Sequence, residues 1–163
     1  MNRKTTTITT QQYKNIISLL LEGFSEHRPN ERVALVLMLE ASLGMQIGDV
    51  LSLRPCDFDF ASDKLRYTGK KGKTKEYRLP KILKLCVENF SFRNNIEQSE
   101  LLFPITERQV RKQLRFACAH LGYDDVSTLS FKRWHKAENT GVEEWNVLLV
   151  EMLCRTPSKT VQP

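Results

Sequence analysis

Long apolar runs are absent from this 163-residue chain, and no stretch approaches the roughly 20 residues that a membrane-spanning helix needs. The opening residues, Met1 to Thr10, are polar and rich in threonine, so they lack the apolar core of a secretory signal. The expectation is a chain that stays in the cytoplasm, with no membrane partner. Cysteine is scarce, and Cys56, Cys86, Cys118 and Cys154 are too widely spread for metal-ligand or redox-motif spacing. Each is expected to behave as a small buried hydrophobe. The histidines His27, His120 and His135 are scattered as well, and no metal site is expected. A Walker loop, a nucleophile elbow and a dinucleotide fingerprint are missing, so no cofactor is expected either. No internal repeat or low-complexity segment is visible.

What the chain does have is an ordinary globular balance, with 40% hydrophobic and 27% charged residues. Its length fits one domain with a real core. The net charge is +6 and the sequence pI about 9.2. A basic balance favours polyanionic partners through attraction to phosphate and release of counterions, so the meaning lies in where the charge sits.

Thr9 and Gln12 read as a capping box opening a helix with Tyr13, Ile16, Ile17, Leu20, Leu21 and Phe24 on one face. Core packing is a sufficient account of that helix. From Glu31 to Leu43 the run Val33 to Leu39 is apolar all round, which predicts a central, buried helix. A short helix over Ile47 to Leu53 follows Gly44 and ends at Arg54-Pro55. Phe58 to Phe60, Lys64 to Thr68 and Lys75 to Leu79 read as three short strands, the last two joined by the basic turn Gly69-Lys70-Lys71-Gly72-Lys73. Pro80 is placed to open a helix at its first position, running to Phe90 before a polar loop from Ser91 to Ser99. The fold class is therefore mixed α+β, mostly helical, with a small three-stranded antiparallel sheet.

Thr106 is a good N-cap for a helix from Glu107 to Leu121 with two distinct faces. Val110, Leu114, Ala117 and Leu121 form one stripe, and Arg108, Arg111, Lys112 and Arg115 form another at i, i+3, i+4, i+7. Four like charges repel unless an anion meets them, so the stripe is either a solvated face or a polyanion-binding one. Towards the C-terminus come Ser130-Phe131-Lys132-Arg133-Trp134 and an apolar helix from Trp145 to Leu153.

In this order the pieces resemble the catalytic domain of the tyrosine recombinase, or phage integrase, family. Gly44-Met45-Gln46-Ile47-Gly48-Asp49-Val50-Leu51-Ser52-Leu53-Arg54-Pro55-Cys56-Asp57-Phe58-Asp59-Phe60 is similar to the family's first signature in spacing and apolar positions. The basic turn around Gly72 resembles the hairpin that carries a catalytic Lys. Leu129-Ser130-Phe131-Lys132-Arg133 sits where a His-x-x-Arg box belongs. The resemblance covers nearly the whole chain from Gln11 onward. It implies one catalytic-like domain over residues 1–163, with 1–9 as a flexible N-terminus and no N-terminal core-binding domain.

In that family two Arg, one Lys and a His or Trp surround the scissile phosphate, and a Tyr hydroxyl attacks it. Guanidinium forks stabilise the charge that builds on the non-bridging oxygens. Here the first Arg position holds Gln46, which carries no charge. The His position holds Leu129, which transfers no proton. The second Arg position holds Lys132, which keeps charge and loses the planar fork. Arg155 corresponds to the later His, and no Tyr follows Tyr123. The resemblance thus implies a DNA-binding relative that is catalytically degenerate, such as an accessory factor of a mobile element. Asp49 stands at the family's acid, which in an active site would orient the Arg; beside Gln46 the alternative is a local cap or salt bridge. Lys71 and Lys73 are remnants of the catalytic Lys or simply an exposed hairpin tip, and His135 lies near the displaced box. The expected contacts to double-stranded DNA are Lys70, Lys71 and Lys73 from the hairpin, Arg108, Arg111, Lys112 and Arg115 from the basic helix, and Lys132 and Arg133 facing the old phosphate pocket. Two alternatives stand beside this reading. The Trp145–Leu153 helix could dock on an active recombinase or on a second copy, or the chain could be part of an active enzyme whose Tyr lies past Pro163.

Overall fold

A computed structural model describes residues 7–69 and 71–137. Six helices and three strands run in the order α1 (Thr10–Glu22), α2 (Glu31–Leu43), α3 (Ile47–Val50), β1 (Phe58–Asp59), β2 (Lys64–Thr68), β3 (Thr74–Arg78), α4 (Lys81–Arg93), α5 (Glu107–Leu121) and α6 (Thr128–Ala137). A 3-10 turn over Pro55–Asp57 joins α3 to the sheet. The expected mixed α+β architecture, helix-rich with a three-stranded antiparallel sheet in the order β1-β2-β3, is what forms.

The helix starts follow their caps. Thr9 Oγ1 accepts from the Gln12 N–H at 3.0 Å, and Gln12 Oε1 accepts from the Thr9 N–H at 2.9 Å, satisfying two otherwise orphaned donors. Ile8, just before this cap, is buried in the core. Asn30 Oδ1 caps α2 through the Val33 N–H at 3.1 Å. Gly44 ends α2 in the left-handed region, φ +70°, which costs glycine little and turns the chain directly into α3. α2 is central as expected: every residue from Val33 to Ala41 is buried, and α1, α3, α4 and α6 all pack on it.

Four boundaries differ from the sequence reading, each for a local reason. β1 stops at Asp59 instead of Phe60, because Asp59 Oδ1 accepts the Ala61 and Ser62 N–H groups at 3.2 Å and turns the chain. β3 runs one residue earlier than expected: Thr74 pairs with Thr68, while the Leu79 N–H bonds the Asp63 carbonyl outside the strand ladder. α3 closes at Val50, where Ser52 Oγ back-bonds the Gly48 carbonyl at 2.9 Å and the Leu53 N–H takes a tight bond to the Val50 carbonyl. α4 begins after Pro80, which caps it with an extended ψ of 137°, and continues past Phe90 to Arg93. The Arg93 guanidinium grips both carboxylate oxygens of Glu31 at the head of α2, which holds that last turn. Cys56 is a further correction. It is exposed on the 3-10 turn, whereas Cys86 and Cys118 are buried. Cys154 lies outside the described residues.

α6 matters most for the site. Tyr13 of α1 stacks on Trp134 at 5.3 Å between centroids and meets Phe131 edge-on at 6.0 Å. Such aromatic pairs add about 0.5–1.5 kcal/mol each beyond the area they bury. Ser130, Phe131 and Trp134 are buried, so the helical period turns Leu129 and Lys132 towards α3 and α5.

Candidate nucleic-acid interface

The chain turn at Gly44 sets Gln46 as the exposed N-cap of α3, in extended backbone and with no side-chain capping bond. Its amide is left facing outward beside Asp49, one turn along. Across from them the first two turns of α5 and α6 bring Glu107, Arg111, Thr128, Leu129 and Lys132. Together with Glu40 of α2 these side chains line a cavity of about 420 Å³. Gln46, Asp49, Leu129 and Lys132, expected from the sequence to share a site, are thus brought into one pocket across 86 residues of chain between the first and last.

Arg133 is not in the wall of this pocket, although it was expected to face it with Lys132. One further residue along α6 rotates it by about 100° onto an exposed face. Asp49 bonds locally, accepting the Tyr67 hydroxyl of β2 at 3.2 Å. Burial, with Asp49 beside it, holds the Tyr67 phenol above its ordinary range. The hairpin tip carries Lys71 and Lys73 into solvent, where Gly72, φ +76°, makes the turn. Neither lysine reaches the pocket wall. Lys70, His135 as a side chain, Arg155 and the Trp145–Leu153 helix lie outside the described residues.

The basic helix forms over its expected span. Thr106 Oγ1 accepts from the Gln109 N–H at 3.2 Å and Gln109 Oε1 from the Thr106 N–H at 2.8 Å, while Gly122, φ +74°, ends it. Arg108, Lys112 and Arg115 are exposed on one face. Arg111 differs from them: it pairs with Glu107 one turn back at 3.0 Å, so the stripe is not four unmet charges. Lys112 also lies over the Phe116 ring at 5.8 Å. A second cleft, about 490 Å³, runs along the same helix between Arg111, Arg115 and the Tyr123–Thr128 segment.

Glu40 is the residue that the sequence reading passed over. Its signal was a carboxylate inside an otherwise continuous apolar run. It is 1% exposed, and its Oε1 has no hydrogen-bond partner. Burial pushes its carboxyl up to about 8, with Lys132 and Arg111 pulling it back down and Glu107 raising it further. Among the described residues, no group of three His, Cys, Asp or Glu side chains is placed to hold a metal ion. No helix there is long and apolar enough to cross a membrane.

No protein-family model matches the chain, and no curated protein matches it. Solved structures do. XerA recombinase aligns with a TM-score of 0.65 at 12% identity, over 91% of this chain and 57% of its own. An integrase from mycobacterium phage Brujita aligns at 0.56 and 15% identity, over 83% and 43%. The Tn1549 transposon integrase, solved in complex with a circular intermediate DNA, aligns at 0.69 and 10% identity, over 93% and 61%. This chain therefore spans roughly two-fifths to three-fifths of these proteins, and at such identities the likeness is one of fold: that of recombinases and integrases, as the sequence resemblance implies.

Proposed function

We propose that the chain is a DNA-binding relative of the site-specific tyrosine recombinases whose strand-cleaving chemistry has been lost. The observation that carries this is the pocket in which Gln46, Leu129 and Lys132 meet, flanked by the exposed Arg108, Lys112 and Arg115 of α5. Cleavage of a phosphodiester needs preorganised cationic donors on the non-bridging oxygens, and loss of one such donor costs roughly 10²–10³ in rate. Gln46 supplies no charge, Leu129 transfers no proton, and Lys132 offers a single point charge in place of a fork. What survives is a scaffold with a basic face, suited to holding a duplex through its phosphates and not to cutting it. The reading extends to an accessory or regulatory role in a mobile element, acting in the cytoplasm on double-stranded DNA.

The test is one incubation read two ways. A labelled, nicked random-sequence duplex is retarded by the protein on a native gel, and a denaturing gel shows no covalent protein–DNA adduct. Replacing Arg108, Lys112 and Arg115 together with Ala abolishes the retardation at the same salt. A covalent adduct overturns the loss of chemistry, and undiminished retardation by the triple variant overturns docking through α5.

A further inference from the structure

The pocket has a composition that a plain phosphate site would not have. Its wall holds three carboxylates, Glu40, Asp49 and Glu107, against two cations, Arg111 and Lys132. Two of the carboxylates are already engaged: Asp49 accepts the Tyr67 hydroxyl and Glu107 pairs with Arg111. Glu40 is not. Its Oε1 is buried without a partner, and the residue lines an open cavity of about 420 Å³. The donors are also unspent. The Lys132 ammonium has no hydrogen bond or ion pair of its own among the described residues, and the Gln46 amide makes no capping bond.

We propose that this pocket takes up a DNA phosphate and a proton together, the proton residing on Glu40, so that duplex affinity depends on the protonation of this one buried side chain. The proposal rests on the DNA-binding reading above and adds its regulation. With Glu40 ionised, three negative groups face two positive ones, and an incoming phosphodiester meets a net negative wall. With Glu40 protonated the wall is neutral. The acid O–H, the Lys132 ammonium and the Gln46 amide then all present donors to a non-bridging oxygen. A carboxylic acid kept neutral by a dry setting is a competent donor to an anion. The step balances simply: one proton from solvent joins one carboxylate oxygen, and no covalent bond of the DNA changes.

The charged groups acting on Glu40 are Lys132 of α6 and Arg111 and Glu107 of α5, and Asp49 of α3 lines the same cavity. Helices α1 and α4 also pack on α2, and they place no side chain in the cavity wall. Burial pushes the Glu40 carboxyl up to about 8, which puts the switch within reach of ordinary buffers.

Fluorescence anisotropy with a short labelled duplex at constant ionic strength tests this. For a carboxyl titrating at about 8, linkage predicts that wild-type affinity falls by up to about tenfold between pH 7 and pH 9. Glu40→Gln keeps a neutral donor in place, so its affinity stays flat over that range. Parallel pH dependence in the two proteins overturns the proposal. Calorimetry on the unaltered protein provides a check that does not depend on any variant folding. Titrations at pH 8 in two buffers of different ionisation enthalpy should show uptake of about half a proton per complex formed, and zero uptake overturns the proposal. Absence of duplex binding at pH 6.5 defeats the DNA-binding reading itself, an outcome distinct from binding without proton uptake.

Discussion

Glu40 sits among apolar neighbours on α2, and its burial has a thermodynamic consequence that holds whether or not DNA binds. The folded chain keeps a proton on this carboxyl up to pH about 8, whereas the unfolded chain releases it near the ordinary value of 4.5. Between those two points folding takes up a proton, so stability falls as pH rises. The loss approaches about 1.4 kcal/mol per pH unit at most, and it levels off below the lower value and above the upper one. Glu40→Gln removes this slope while keeping the shape. Urea unfolding midpoints at pH 5 and pH 8 should therefore drop further for the wild type than for the variant. Equal drops would show that Glu40 is ionised in the folded protein and that its charge is met by Lys132 and Arg111. Gln46 and Leu129 make the complementary point at the same scale. In the proposed reading each stands where the recombinase family has a catalytic side chain, and neither an amide nor an alkyl group carries the charge or the proton that cleavage would need.

At the scale of elements, α5 carries both a well-capped part of the fold and the proposed DNA-binding face, and its start is fixed by the reciprocal Thr106–Gln109 bonds. Thr106→Ala leaves the Gln109 N–H without its side-chain acceptor, at a cost of about 1 kcal/mol. In a chain of this size that lowers Tm by roughly 2–4 °C. Duplex binding at room temperature should persist, since Arg108, Lys112 and Arg115 lie further along the helix. A melting curve beside an anisotropy titration checks both, and loss of binding with Tm unchanged would assign Thr106 to the DNA contact instead. Caps of this kind explain why the elements were so legible in the sequence. Thr9, Gly44 and Thr106 each act within a few residues of where they stand. The boundaries that shifted were set by partners further off or by side chains bonding their own backbone: Glu31 for the end of α4, Asp59 for the end of β1. The site was legible only in part. The resemblance in motif order brought Gln46, Asp49, Leu129 and Lys132 together. Glu40 escaped because nothing near it in sequence shows what it faces, and the charges that act on it, Glu107, Arg111 and Lys132, come from helices far along the chain. The Glu107–Arg111 pair was visible at i, i+4 spacing and was masked by reading the basic stripe as four equivalent charges.

For the whole molecule the question is whether DNA responds to the net charge of +6 or to where it is placed. Around β2 and β3 much of the charge is internally met, as Glu76 pairs with both Lys64 and Arg66. On α5, Arg108 and Arg115 stand exposed with no such partner among the described residues. Counterion release distinguishes the two cases, because each phosphate neutralised contributes about 0.9 to the slope of log affinity against log salt. Replacing Arg108 and Arg115 with Ala should shallow that slope by about 1.8 if both touch the backbone. Arg78 and Lys81, exposed on β3 and α4, offer a control that removes the same net charge elsewhere. Their joint replacement should leave the slope unchanged within error. Should both double variants shallow it equally, the duplex is sensing a diffuse positive field, and the α5 face has no privileged role. If only the α5 pair does so, the basic helix is the docking surface, and the Glu40 pocket beside it is placed to receive one of the phosphates that the helix aligns.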